Sequence, residues 1–205
     1  SVGHYRLDLT TIPIDFLAAS AHKFHGPKGI GFVFIRKNSG LKPLILGGMQ
    51  ERGVRAGTES IHDIVGLDTS LAMSYQNLET EMAYVKALKT YFIDQLKTTI
   101  EGVKFNGSCS DFVKSTYTLV NVCLPVSETN APMFLFQLDL KGIACSKGSA
   151  CQSGSDKGSH VLTQFLSEED LKKPSIRFSF SIYNTKEEID RVVETLQTLI
   201  RTTAY

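Results

Sequence analysis

The chain has 205 residues, of which 42% are hydrophobic and 21% charged, and its formal net charge is +1. This is the composition of a soluble globular protein of one or two domains with a real core, and the even mixing of acidic and basic residues excludes an electrostatic nucleic-acid or acidic-membrane surface. The apolar runs are too short to span a membrane, no signal-peptide pattern opens the chain, and Cys109, Cys123, Cys145 and Cys151 lack the spacing of a zinc site or a disulfide framework, so free thiols in a reducing cytoplasm are expected.

In chain order, Asp15–Ser20 and Gly29–Lys37 read as two strands around a polar turn, Ala21–Lys28. A Pro- and Gly-punctuated loop, Lys42–Gly57, leads to a helix capped by Thr58, with Ile61, Ile64, Val65, Leu67 and Leu71 as its apolar stripe. Helical spacing continues through Met82, Val85, Leu88, Phe92 and Leu96. Shorter elements follow: Val103–Asn106, Thr116–Leu124, a helix over Ala131–Leu140, and Ile143–Cys145. A strand over Ser175–Ser181 and a helix over Lys186–Arg201, with Thr185 as cap and Glu187 and Glu188 at its positive end, close the chain. A boundary near residue 80 divides it most economically, and the two leading strands have open edges, as in a piece of a larger domain.

Four segments carry chemistry. Lys23 sits in a turn with Ser20, His22, Gly26 and Gly29; such a lysine can present a neutral amine to an aldehyde while hydroxyl, imidazole and backbone donors hold a phosphate, although surface turns of this composition are common. The run Gly47 to Glu59 combines flexible backbone, Arg52, Arg55 and Thr58, which suits an anion or a solvated loop whose arginines pair with Glu51 and Glu59. Cys151 lies in the small, polar stretch Ala144–Ser155, where a thiolate could be accessible, whereas Cys123 and Cys145 fall in apolar runs that favour inert thiols. Arg177 interrupts an apolar strand and needs an anion, either a ligand carboxylate or an acid such as Asp139 or Asp190.

The string Ser20-x-His22-Lys23 followed by Gly26-Pro27-Lys28-Gly29-x-Gly31 resembles the cofactor-lysine motif of the class V aminotransferase family, in its cysteine desulfurase branch of the NifS and IscS type. The run from Gly47 resembles that branch's GGGQERGxRxGT motif, with Met49 in place of the third glycine; Gly148–Gly154 resembles GSACxSG of the long-loop desulfurases; and SIRFS followed by NTKEEID resembles SIRFSLG and TxEEID, with Phe180 and Ser181 departing from Leu-Gly. The resemblance implies an α/β fold of the pyridoxal-phosphate-dependent fold type I, in which residues 1–80 are the end of the large cofactor domain and 81–205 the small α+β C-terminal domain carrying the cysteine loop. It implies that Lys23 binds pyridoxal 5'-phosphate covalently, that Ser20 and His22 contact its phosphate, and that Thr58 reaches the phosphate of the partner's cofactor in a homodimer. It further implies that Arg177 holds the carboxylate of L-cysteine and that Cys151 takes the sulfur as a persulfide for an acceptor protein, such as an iron-sulfur scaffold or a thiolation carrier.

The family's upstream Asp-x-x-Gln motif and ring-stacking His are not among these residues, and His4 fits neither role. The chain therefore reads as a C-terminal half, expected to bind cofactor weakly and turn over little by itself. A selenocysteine lyase or related class V enzyme, and a non-catalytic dimer or scaffold-docking module, are the alternatives.

Overall fold

Residues 1–147 and 159–202 are described by the computed structural model, and they divide into two units, Ser1–Glu81 and Met82–Tyr205.

In the first unit the two expected strands form, the first shorter at its start and the second at both ends: β1, Phe16–Ser20, and β2, Gly31–Ile35, pair antiparallel with Phe16 opposite Ile35 and Ser20 opposite Gly31. The polar turn between them closes as a 3-10 turn, Ala21–Phe24, ended by His25 in the left-handed region at φ 67°. Arg36 stitches the N-terminal segment to β2 by donating to the carbonyls of Leu9, Ile12 and Ile14 at 2.9–3.0 Å.

The following helix, α1, spans Ile61–Gln76, with Ser60 and not Thr58 at its N-cap. Ser60 Oγ donates to the Asp63 carboxylate at 2.8 Å, so its hydroxyl engages a side chain in the first turn instead of a free backbone N–H. The helical pattern is also interrupted at Asn77, after which α2 runs over Leu78–Thr99. Of the expected stripe on α1, Ile61 and Val65 are 66% and 59% exposed; in this unit the stripe marks surface, not core.

The second unit contains a sheet of β3 (Lys104–Phe105), β4 (Leu119–Cys123) and β5 (Ser175–Ser179), in that order and antiparallel throughout. Alternation along the strands sends Val120, Val122, Ile176 and Phe178 into one core with Leu88, Phe92 and Leu96 of α2. Phe134 and Leu138 of α3 (Ala131–Leu140) and Ile189, Val193 and Leu196 of α5 (Lys186–Thr202) complete it. The opposite face carries the polar side chains Asn121, Ser175 and Arg177, beside Leu119 and Cys123, in the other phase of a period-two pattern. A short helix, α4, over Glu168–Leu171, is capped by Ser167, and its Asp170 accepts two bonds from Lys104 Nζ at 2.7 and 2.8 Å, which holds its carboxyl below the usual range. The start of α5 is a reciprocal capping box: Glu188 N donates to Thr185 Oγ1 at 3.3 Å, and Thr185 N to Glu188 Oε2 at 3.1 Å. Ile143–Cys145, expected as a strand, forms none; the chain pairs only at Ser146, by an isolated bridge to Arg177.

A lysine lies inside this unit. Lys89 of α2 is fully buried, donates to Thr116 O at 2.7 Å and Ser115 Oγ at 3.1 Å, and stands 4.8 Å from the centre of the Phe112 ring. Burial pushes its pKa below the ordinary lysine value of 10.5. A lysine whose pKa is lower in the folded than in the unfolded state binds fewer protons when folded, so stability rises with pH across the interval from the depressed value to 10.5. Urea unfolding of the chain and of Lys89→Met as a function of pH checks this: the difference in unfolding free energy, unsubstituted minus variant, should increase as the pH rises through that interval.

Candidate functional site

The lysine turn is seated on α1 by small residues. A Cβ at Gly26 would come 2.6 Å from Ser70 Oγ, and one at Gly66 would come 2.6 Å from Pro27 Cγ, so only glycine permits the turn to lie this close to the helix. Phe24 and Ala21 are buried beneath it, while His22 and Lys23 point outward and are exposed. Lys23 follows β1 directly, and its side chain is exposed. Among the described residues, the side chains of Ser20, His22 and Lys23 make no hydrogen bond or ion pair, so one turn presents a hydroxyl, an imidazole and an amine that are all uncommitted.

The backbone of the turn is held by a residue that no motif singles out. His4 Nε2 lies 3.1 Å from the carbonyl oxygen of Lys23; because a carbonyl can only accept, the proton of that bond belongs to Nε2. Burial pushes the His4 pKa down against the opposing pull of this bond, which favours the neutral ring at physiological pH. Beside it Gly3 has φ +75°, and a Cβ there would come 2.6 Å from Phe24 Cβ. Gly3→Ala therefore combines left-handed strain with overpacking and should destabilise the first unit by about 3 kcal/mol, measurable by urea denaturation and accompanied by faster amide exchange in the turn.

In the same unit Thr58 lines a cavity of about 400 Å³ with Gly29, Gly31, Arg55, Gly57, Ser60 and Leu67 among others. Lys23 is not part of that lining. The loop leading to it is strained, with Glu51 and Arg52 both left-handed at φ 48° and 58°. Among the described residues no ion pair joins Arg52 or Arg55 to Glu51 or Glu59; Arg55 Nη1 instead donates to Ala56 O at 2.9 Å.

In the second unit Arg177 lies on β5, with its backbone N donating to Ser146 O at 2.7 Å and its carbonyl accepting from Ser146 N at 3.2 Å. Its Nε is buried and meets no acceptor. Neither Asp139 nor Asp190 neutralises it; Asp190 accepts from the Tyr91 hydroxyl. Cys109 and Cys123 are buried and Cys145 half-buried, all as free thiols. Burial and the neighbouring Asp139 push the Cys145 thiol up to about 11, and burial pushes Cys123 up as well. Cys151 lies outside the described residues.

This mixed α/β chain has the fold of NifS-like, pyridoxal-phosphate-dependent enzymes of fold type I. Over 98% of its length it superimposes on half of a solved NifS-like protein with a TM-score of 0.82 and 27% identity, and over 97% on half of the NifS-like protein of Rickettsia africae, with a TM-score of 0.81 and 28% identity. The model of the family "Aminotransferase class-V" matches residues 1–192, and the chain belongs to that family. Among curated relatives, it is 35% identical over 200 residues to the cysteine desulfurase IscS of Dictyoglomus turgidum, covering 98% of this chain and 50% of the relative. It is 39% identical over 196 residues to a cysteine desulfurase of Bradyrhizobium diazoefficiens, covering 94% and 48%. The chain thus spans about half the length of the curated relatives it matches. No helix among the described residues is long and apolar enough to cross a membrane.

Proposed function

We propose that this chain is the C-terminal half of a cysteine desulfurase, which converts L-cysteine to L-alanine, receives the sulfur as a persulfide on Cys151 and passes it to an acceptor protein. The observation that carries the reading is the lysine turn, with Ser20, His22 and Lys23 all uncommitted. That donor set fits pyridoxal phosphate: an exposed primary amine for the aldehyde, and a hydroxyl and an imidazole three and one residues before it for the phosphate. Ser20 ends β1 and Lys23 lies in the 3-10 turn that follows directly, so the two side chains leave the chain within three residues of each other. When bound, the cofactor supplies an aldehyde that captures amines and a ring that withdraws electrons from the bonds around the substrate's Cα.

This chain's own residues then have distinct tasks. Lys23 holds the cofactor and, once displaced by the substrate's amine, moves protons through Nζ. Arg177 pairs with the substrate carboxylate; among the described residues no ion pair engages its guanidinium, whose buried Nε meets no acceptor. Cys151 Sγ attacks the substrate sulfur as a thiolate; the C–S bond breaks with its electron pair left on carbon, which takes up a proton to become the methyl group of alanine. Thr58, which lines a cavity whose lining does not include Lys23, serves the phosphate bound to a second copy in a homodimer. Leu44, Leu46 and Met49, exposed at 94%, 80% and 81%, are apolar surface that a second copy would cover. Residues 1–80 complete a cofactor domain, 81–205 form the small domain, and a reducing cytoplasm keeps the thiols free. The 205 residues alone are expected to bind cofactor weakly and turn over little.

The test is titration with pyridoxal phosphate, followed by borohydride reduction and peptide mapping. A label concentrated on Lys23 supports the reading; a label scattered over many lysines overturns the assignment of this turn.

A further inference from the structure

On the polar face of the second unit's sheet, the residue directly opposite Arg177 is Asn121 of β4. Side chains of directly opposed residues in an antiparallel pair lie on one face with Cβ atoms about 5 Å apart, so the Asn121 and Arg177 side chains leave the sheet side by side. The orientation of the amide follows from its bonds. Asn106 Nδ2 donates one proton to Asn121 Oδ1 at 2.8 Å and the other to Ser175 Oγ at 2.9 Å. Asn121 is therefore the acceptor through Oδ1, and its own Nδ2 is left as a donor.

Among the described residues that Nδ2 meets no acceptor, and neither does the buried Nε of Arg177. Two side chains on one face of the sheet that donate, and that the described residues leave without an acceptor at Nδ2 and Nε, suit an anion with two oxygens. On the other flank the bridge to Ser146 holds the Arg177 backbone, which fixes where the guanidinium begins.

We infer that Asn121 is a second recognition residue for the carboxylate of the amino-acid substrate, its Nδ2 donating to one oxygen while Arg177 pairs with the other. This rests on the proposed role of Arg177 and adds to it a residue that selects a carboxylate over a neutral amide: Arg177 and Asn121 offer only protons on this face, and a carboxamide presents one acceptor where a carboxylate presents two.

The experiment uses the 15N-labelled chain, with the backbone amide of Ser146 as reporter, titrated with L-alanine and, separately, with L-alaninamide. The expected result is a saturable shift with L-alanine and a much weaker response to the amide. Asn121→Asp keeps an acceptor for Asn106 Nδ2 and places a carboxylate against Arg177; it should weaken L-alanine binding at least about 10-fold, by occupying the guanidinium from within. Asn121→Ser, which removes the amide donor, should weaken it by about 3- to 10-fold, with the response to L-alaninamide unchanged in both variants. An unchanged affinity for L-alanine in both variants, or an equal loss for both ligands, overturns the role of Asn121. In Arg177→Gln, loss of the L-alanine response alongside an unchanged response in the Asn121 variants leaves the Arg177 reading standing and this inference refuted. A full response in Arg177→Gln, or none in the unsubstituted chain, refutes both.

Discussion

Lys23→Ala, in a protein of the relatives' full length carrying this sequence, should abolish borohydride-dependent labelling by pyridoxal phosphate and lower the rate of alanine formation from L-cysteine by at least about 10³-fold. Two losses combine. The covalent tether to the cofactor disappears, and with it the amine that would move protons after the substrate has displaced it. The turn itself should survive, because Lys23 is exposed while Ala21 and Phe24 carry the packing beneath, and the bond from His4 is to the backbone carbonyl of residue 23, which alanine retains. Unfolding by urea should accordingly be unchanged within about 0.5 kcal/mol, and that separates a chemical effect from a structural one. Labelling of another lysine with retained turnover would move the cofactor away from this turn.

The second large effect is expected at Cys151. Cys151→Ser should eliminate the persulfide and the transfer of sulfur to an acceptor, since a serine hydroxyl, far less acidic and less nucleophilic than a thiol, cannot take sulfur from the substrate. The three described cysteines are poor substitutes. Cys109 and Cys123 are buried, Cys123 Sγ faces the carbonyl of Asp170, and Cys145, pushed up to about 11, carries almost no thiolate at neutral pH. Iodoacetamide at pH 7.5 should therefore alkylate Cys151 well before the other three, as read by peptide mass spectrometry. Rapid alkylation of Cys145, or sulfur transfer that persists in Cys151→Ser, would reassign the acceptor thiol.

Much of the local structure was legible residue by residue. The two leading strands show in their runs of β-formers, and the turn between them in its glycines and proline. The capping box at Thr185 and Glu188 involves partners three residues apart, so nothing distant had to be known. Thr58 was the wrong cap because two hydroxyl residues, Thr58 and Ser60, stand just before α1, and only the backbone chooses Ser60. The stripe of Ile61, Ile64 and Val65 has the spacing of a buried face; spacing reports that an element is amphipathic, not that this part of the chain covers it. The motifs around Lys23, Thr58, Cys151 and Arg177 marked segments, without saying which side chains were already spent on neighbours.

That accounting belongs to the tertiary structure. Lys23, near the start of the chain, is held through its carbonyl by His4, nineteen residues earlier, and Arg177 stands opposite Asn121 because β4 and β5 pair in one particular register. The amide of Asn121 points as it does because Asn106 and Ser175 use up the alternatives. Sequence order determines helices, turns and their caps, since their hydrogen bonds close within a few residues. Whether a guanidinium finds an acid, or a lysine is buried, depends on contacts between distant positions, and the register of strand pairing decides those contacts.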